Sequence, residues 1–219
     1  MRELKDIRAV VFDLDGTLFD STAAWEGVGE RYLLSLGITP PPGLDEKLRC
    51  LSLPDGSRLL KEEFALEYPP EEIQATIVRS MEEFYLHECP LKPGAAELLE
   101  LLSSRGVGLA IATAGDRALA CAALERLGVL KYFCGIFTCD EYGGKDRPEI
   151  FLKAAAAAGG TPETTAVFED SLHAVQTARA AGFLTAAVAD RSEPQQEALR
   201  RTADCYCGEL SEYIRLFGR

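Results

Sequence analysis

The sequence lacks what would carry a chain into a membrane or onto a polyanion. No apolar run approaches the roughly 18–20 residues that a bilayer-spanning helix requires. Cations are few: 23 Lys and Arg stand against 35 Asp and Glu, a formal net charge of −12, and no Lys/Arg cluster stands out. The phosphate backbone of a nucleic acid and an anionic membrane surface are therefore poor partners. There are two histidines, His87 and His173; they have no partner spacing and read as structural. The seven cysteines (50, 89, 121, 134, 139, 205 and 207) are odd in number and scattered. That fits reduced core thiols in a cytosolic protein better than a disulfide framework. Cys205 and Cys207 would share one face of a strand, yet no second Cys/His pair completes a zinc site. The start, MRELKDIRAVVF, has charges but no apolar segment leading to a cleavage site, so a cytoplasmic location is expected.

What is present suits a globular enzyme. A 219-residue chain with 47% hydrophobic and 26% charged residues can bury one large domain, or a core with a smaller insert. IRAVVFD, residues 7–13, reads as a short buried strand. Ser21 reads as the N-cap of a helix running to about residue 35, which Gly37 stops. Only helical signals follow, to His87: 44–49, about 55–66, and a run after Pro69–Pro70 with Ile73, Ile77, Met81 and Phe84 at helical spacing.

From CPLKPG onward the pattern alternates. Strands are expected at 107–113, 136–138, 165–169, 184–189 and 205–207. Helices are expected at 94–105, 117–127, 148–158, 171–181 and 193–201, with one more at the end. Such alternation implies a doubly wound, Rossmann-like α/β core, with a parallel sheet covered by helices on both faces. Residues 1–18 with 91–219 would form that core, and 19–90 an inserted all-helical cap.

In open α/β sheets ligands bind outside the carboxyl ends of the strands. There this sequence places Asp13-Leu14-Asp15-Gly16-Thr17, then Thr113-Ala114-Gly115-Asp116, then Lys145 in GGKDRPEIF, then Glu169-Asp170-Ser171. Carboxylates one residue apart repel, and more so where water is excluded. Mg²⁺, which takes carboxylates, water and a substrate phosphate, would offset that repulsion. Lys145, the Thr113 hydroxyl and backbone N–H groups around Leu14–Asp15 and Ala114–Gly115 would cradle phosphoryl oxygens. Asp13 would attack phosphorus, and Asp15 would protonate the leaving oxygen and then activate water.

FDLDGT, the strand ending in Thr113, Lys145 in its GKxxP setting and FEDS resemble the haloacid dehalogenase superfamily in content and order. The insertion resembles the helical cap of phosphoglycolate phosphatases and β-phosphoglucomutases. The resemblance implies Asp13 as nucleophile and Asp15 as acid/base with its carbonyl on the metal. It also implies Thr113 and Lys145 on phosphate, and Asp170 with Glu169 on Mg²⁺, unless Glu169 only steadies Lys145 or a water. Asp15 speaks against dehalogenation, because the Mg²⁺-independent dehalogenases lack Asp there. Two departures stand out. Asp146-Arg147 follows Lys145 where relatives often have a proline, and Trp25 stands where β-phosphoglucomutases have a histidine. Trp25 and Arg49 are candidate substrate contacts, while Asp116 and Arg117 line the site or start a helix. The expectation is a Mg²⁺-dependent phosphatase of a small phosphomonoester, monomeric or homodimeric. A sugar phosphomutase is the runner-up, and a phospho-aspartate signalling or binding protein a remote alternative.

Overall fold

The computed structural model describes residues 4–49, 51 and 53–217. Its centre is a six-stranded parallel sheet in the order β3-β2-β1-β4-β5-β6. The strands are β1 (Ala9–Phe12), β2 (Gly108–Thr113), β3 (Phe133–Thr138), β4 (Thr165–Glu169), β5 (Leu184–Val188) and β6 (Cys205–Cys207). β1, β4 and β5 are buried along their whole length, as a sheet covered on both faces requires.

The chain divides into two compact units, one of residues 1–21 with 89–219 and the other Thr22–Glu88. The second unit holds α1 (Thr22–Trp25), α2 (Val28–Ser35), α3 (Leu44–Arg49), α4 (Leu53–Glu63) and α5 (Pro70–Glu83), closed by a π-helical turn at Phe84–Glu88. Tyr32, Leu33, Leu44, Leu60, Ile73 and Ile77 form its core. The sheet unit holds α6 (Ala95–Ser104), α7 (Arg117–Arg126), α8 (Cys139–Tyr142), α9 (Glu149–Ala157), α10 (Leu172–Ala180), α11 (Gln196–Thr202) and α12 (Leu210–Phe217).

Alternate strand residues serve opposite faces. Val11, Ala110 and Val167 pack against Ile150 and Phe151 of α9 and Ala174 and Ala178 of α10. On the opposite side Phe12 meets Phe168, which meets Tyr213 of α12, each pair with ring centroids 4.7 Å apart. The Tyr213 hydroxyl donates to Ala187 O at 2.7 Å, so its polar end is satisfied inside the core.

Three expectations need correction. The helix read from 21 to 35 is two helices, because Gly27 between them is left-handed at φ 68°. Its N–H donates to Asp45 Oδ1 at 2.6 Å, a contact 18 residues away that local pattern does not carry. Ser21 is no N-cap: its buried hydroxyl has no hydrogen-bond partner. The cysteines are not uniformly core, since Cys89 and Cys207 are buried and Cys134 is exposed; Cys50 lies outside the described residues.

The two stretches joining the units run side by side. Lys92 N–H donates to Leu18 O at 2.8 Å and Asp20 N–H to Pro90 O at 3.0 Å, an antiparallel pair at the base of the insertion. Among the described residues no helix is long and apolar enough to cross a membrane.

Candidate active site

The sheet order reverses direction beside β1, and a binding crevice forms at such a switch point. β1 pairs with β4 there, Phe12 opposite Phe168, so Asp13 and the Glu169–Asp170 pair leave adjacent strand ends together. Leu14 O then gathers the N–H groups of Thr17, Leu18 and Phe19 at 2.8–3.1 Å, winding the loop after Asp13 into a tight turn. Gly16 makes that turn possible. Its φ is +83°, and a Cβ there would lie 2.3 Å from Asp170 Oδ2. Gly16→Ala is therefore expected to cost about 1–3 kcal/mol through strain and to push Asp170 aside. A urea midpoint and a Mg²⁺ titration would check it; two unchanged values would contradict it.

Lys145 is the hub of the charge cluster. Its ammonium, buried, contacts Asp13 Oδ1 and lies 2.5 Å from Glu169 Oε1. Burial works against its charge, but Asp13 and Glu169 outweigh burial and hold it well above the usual lysine range. Glu169 Oε2 accepts from the N–H groups of Asp170 and Ser171, both at 3.1 Å, and from the Ser171 hydroxyl at 3.0 Å. Burial raises the Glu169 carboxyl, yet Lys145 and those donors bring it below the ordinary range.

The other two carboxylates are not so well compensated. Burial, partly opposed by Lys145 and reinforced by Glu169 and Asp15, pushes Asp13 up to about 7. Burial, together with the charges of Glu169 and Asp13, raises Asp170 well above its usual value. Oxygens of Asp13, Glu169 and Asp170 lie within 4.8 Å of one another. Their donor set is oxygen only and carries negative charge that one lysine does not neutralise, so the residues fit a hard divalent cation such as Mg²⁺.

At the end of β2, Gly115 N–H donates to Thr113 Oγ1 at 2.9 Å. That N–H is committed, which removes Gly115 from the expected phosphate cradle. It also makes the Thr113 hydroxyl an acceptor on that side and leaves its own proton to donate elsewhere. Ala114 follows Thr113 directly. Asp15, half-buried, has its Oδ2 3.5 Å from where a Gly115 Cβ would stand, so its carboxylate points toward the β2 end. Asp116 is a helix cap: its side chain accepts from Leu119 N–H at 3.0 Å. Arg117 pairs with Glu141 at an exposed position.

The candidate substrate contacts belong to the helical unit. Trp25 packs against that unit's core, and its indole N–H donates to Tyr85 OH at 2.8 Å. Arg49 ends α3, and its side chain lies outside the described residues. Sequence reasoning missed Lys92, Asp190 and Ser192. Lys92 Nζ donates to Asp190 Oδ2 at 2.6 Å, and Ser192 Oγ lies 3.3 Å from Asp170 Oδ2. No spacing signals a contact across 98 residues.

Comparison with known proteins supplies a context for this cluster. A sequence model of the family described as haloacid dehalogenase-like hydrolase matches residues 7–182. A phosphorylated carbohydrates phosphatase of Thermotoga maritima is 29% identical over 178 residues, covering 81% of this chain and 82% of that one. A beta-phosphoglucomutase of Mycobacterium bovis is 27% identical over 241 residues, covering 95% and 92%. The crystal structure of CbbY from Rhodobacter sphaeroides in complex with phosphate superposes with a TM-score of 0.80 at 21% identity. It covers 97% of this chain and 100% of that one.

Proposed function

The chain belongs to the haloacid dehalogenase-like hydrolases, and from that premise we propose that it hydrolyses a small phosphomonoester through a phosphoaspartate on Asp13. The substrate class is a phosphorylated sugar or similar metabolite, as in the name of the Thermotoga maritima relative. The enzyme is cytoplasmic and needs Mg²⁺, which Asp13, Asp170 and the Asp15 carbonyl would hold, with Glu169 in the same cluster. The observation that carries the reading is the arrangement around Lys145. One ammonium is shared by Asp13 and Glu169, beside an Asp13 and an Asp170 whose carboxyls are both raised. Bound there, Mg²⁺ would supply charge neutralisation for the two carboxylates and the phosphoryl group.

The chain's own residues do the rest. A carboxylate oxygen of Asp13 attacks phosphorus, and the bond from phosphorus to the substrate oxygen breaks. Asp15 gives its proton to that leaving oxygen. Lys145 Nζ and the Thr113 hydroxyl donate to phosphoryl oxygens, with the Ala114 backbone N–H beside them. Asp15, now a carboxylate, takes a proton from water, whose oxygen attacks the phosphoaspartate and releases phosphate while Asp13 is regenerated. Glu169 fixes Lys145 through Oε1 and, standing in the same carboxylate cluster as Asp13 and Asp170, is also a ligand candidate for the cation.

A mutase must return the phosphoryl group to a second hydroxyl and manage that proton. Trp25 offers only an N–H donor, already given to Tyr85, where a proton-transferring imidazole would be needed. Hydrolysis is therefore preferred. Phosphate release from a panel of sugar phosphates and phosphoglycolate, with Mg²⁺ or EDTA, tests it. Release that needs Mg²⁺ is expected; isomerised sugar phosphate without free phosphate would replace the hydrolase with the mutase.

A further inference from the structure

Two of the three Lys145 donors go to Asp13 and Glu169, and Asp170 is approached instead by two hydroxyls. Thr17 Oγ1 lies 3.3 Å from its Oδ1 and Ser192 Oγ 3.3 Å from its Oδ2. The bare Cα of Gly16 closes a third side, with no room for a methyl group. Both hydroxyl contacts are long for O–H···O bonds, so neither competes strongly with a cation for the carboxylate lone pairs. They restrict the torsion of the carboxylate without neutralising it.

Ser192 is itself held. Its N–H donates to Asp190 Oδ1 at 2.9 Å, and its hydroxyl, 2.8 Å from the same oxygen, shares its one proton between Asp190 and the more distant Asp170 Oδ2. Asp190, buried, gives its other oxygen to Lys92 Nζ at 2.6 Å, and the same ammonium donates to Ala189 O at 3.1 Å. Gln196 Nε2 donates to Asp190 O and to Glu193 O, so the turn after β5 is bound from both ends. A serine on a slack loop could swing away from Asp170; this one cannot without breaking bonds to a buried, ion-paired aspartate. Lys92 is in turn fixed through its main chain, whose N–H donates to Leu18 O.

We propose that Ser192, held by Asp190 and Lys92, is a positioning residue for Asp170 and sets the divalent-cation affinity of the site. The inference rests on the metal-dependent reading given above. A ligand whose orientation is fixed beforehand loses less freedom when the cation arrives, and partners of this kind change metal affinity by about 10–100-fold when removed. The hydroxyl is the operative group, so threonine should serve and alanine should not.

The test is calorimetric Mg²⁺ titration of the full-length chain, carried out on the parent, Ser192→Ala, Ser192→Thr and Lys92→Met, with urea denaturation of each in EDTA. Ser192→Ala should bind Mg²⁺ about 10–100-fold more weakly. Ser192→Thr should stay within about threefold of the parent, and Lys92→Met should weaken binding by a smaller factor, acting one link further away. At saturating Mg²⁺ the kcat of Ser192→Ala should return toward that of the parent. A purely structural role predicts a lower urea midpoint with unchanged Mg²⁺ affinity in the folded protein, which would overturn the proposal. Should Ser192→Ala fail to fold, Lys92→Met decides, and an affinity within about twofold of the parent overturns it. A parent chain that binds no Mg²⁺ would overturn the metal-dependent reading itself, and the inference with it.

Discussion

Asp13→Asn should reduce phosphate release about 10³-fold or more while leaving the chain folded, since the amide keeps the shape of the carboxylate and loses its nucleophilicity. The same substitution should reshape the pH dependence of stability when Mg²⁺ is withheld. Burial pushes the Asp13 carboxyl up to about 7, against about 3.9 in an unfolded chain. Between those values the folded state holds a proton that the unfolded state releases, so this group's contribution falls as pH rises. It is full below about pH 4 and lost on passing pH 7. Subtracting the urea stability of Asp13→Asn from that of the parent, in EDTA from pH 5 to 8, should therefore give a difference that declines with pH. A flat or rising difference would mean that Lys145 already compensates the charge, and the case for a cation at this position would weaken.

Lys145→Met should have the largest effect on stability. The ammonium is buried between Asp13 and Glu169, and removing it leaves those two and Asp170 as neighbouring buried acids. Removing one partner of a buried ion pair typically costs about 3–5 kcal/mol, because the remaining charge is left without compensation. The loss should appear in urea denaturation at pH 8 in EDTA, and should shrink at pH 5, where the carboxyls can take up protons. Mg²⁺ should restore part of it. Adding Glu169→Gln to Lys145→Met should recover stability relative to the single variant, since it removes one of the two stranded charges. A loss below about 1 kcal/mol in EDTA would show that water already solvates this cluster. Activity should fall as well, but that loss alone would not separate positioning of Asp13 from binding of phosphate.

The strand ends were readable because a parallel sheet delivers the carboxyl ends of its strands to one edge whatever the details of packing. β4 and β6 match the sequence reading residue for residue, each being a short apolar run ending in polar residues or turn signals. β3 starts at Phe133 rather than at the expected 136, because Gly135 interrupts the apolar run on this edge strand. The helix expected at 193 starts at Gln196, since Glu193 instead serves the turn, accepting from Leu172 N–H at 2.8 Å and Gln195 N–H at 2.7 Å. Roles that depend on distant partners were not readable. The commitment of Asp190 to Lys92 follows from tertiary proximity and leaves no trace in local periodicity.

The paired linkers at residues 18–20 and 90–92 give the chain an unexpected description. Topologically they are the two arms of a β-hairpin, and the whole helical unit is its loop. The entropy of closing a loop grows only logarithmically, at about 0.6 kcal/mol for each doubling of length. A short turn and an entire folded module therefore differ little in what they ask of the sheet that carries them. A module can be exchanged at that hairpin tip while the stability of the sheet stays nearly constant.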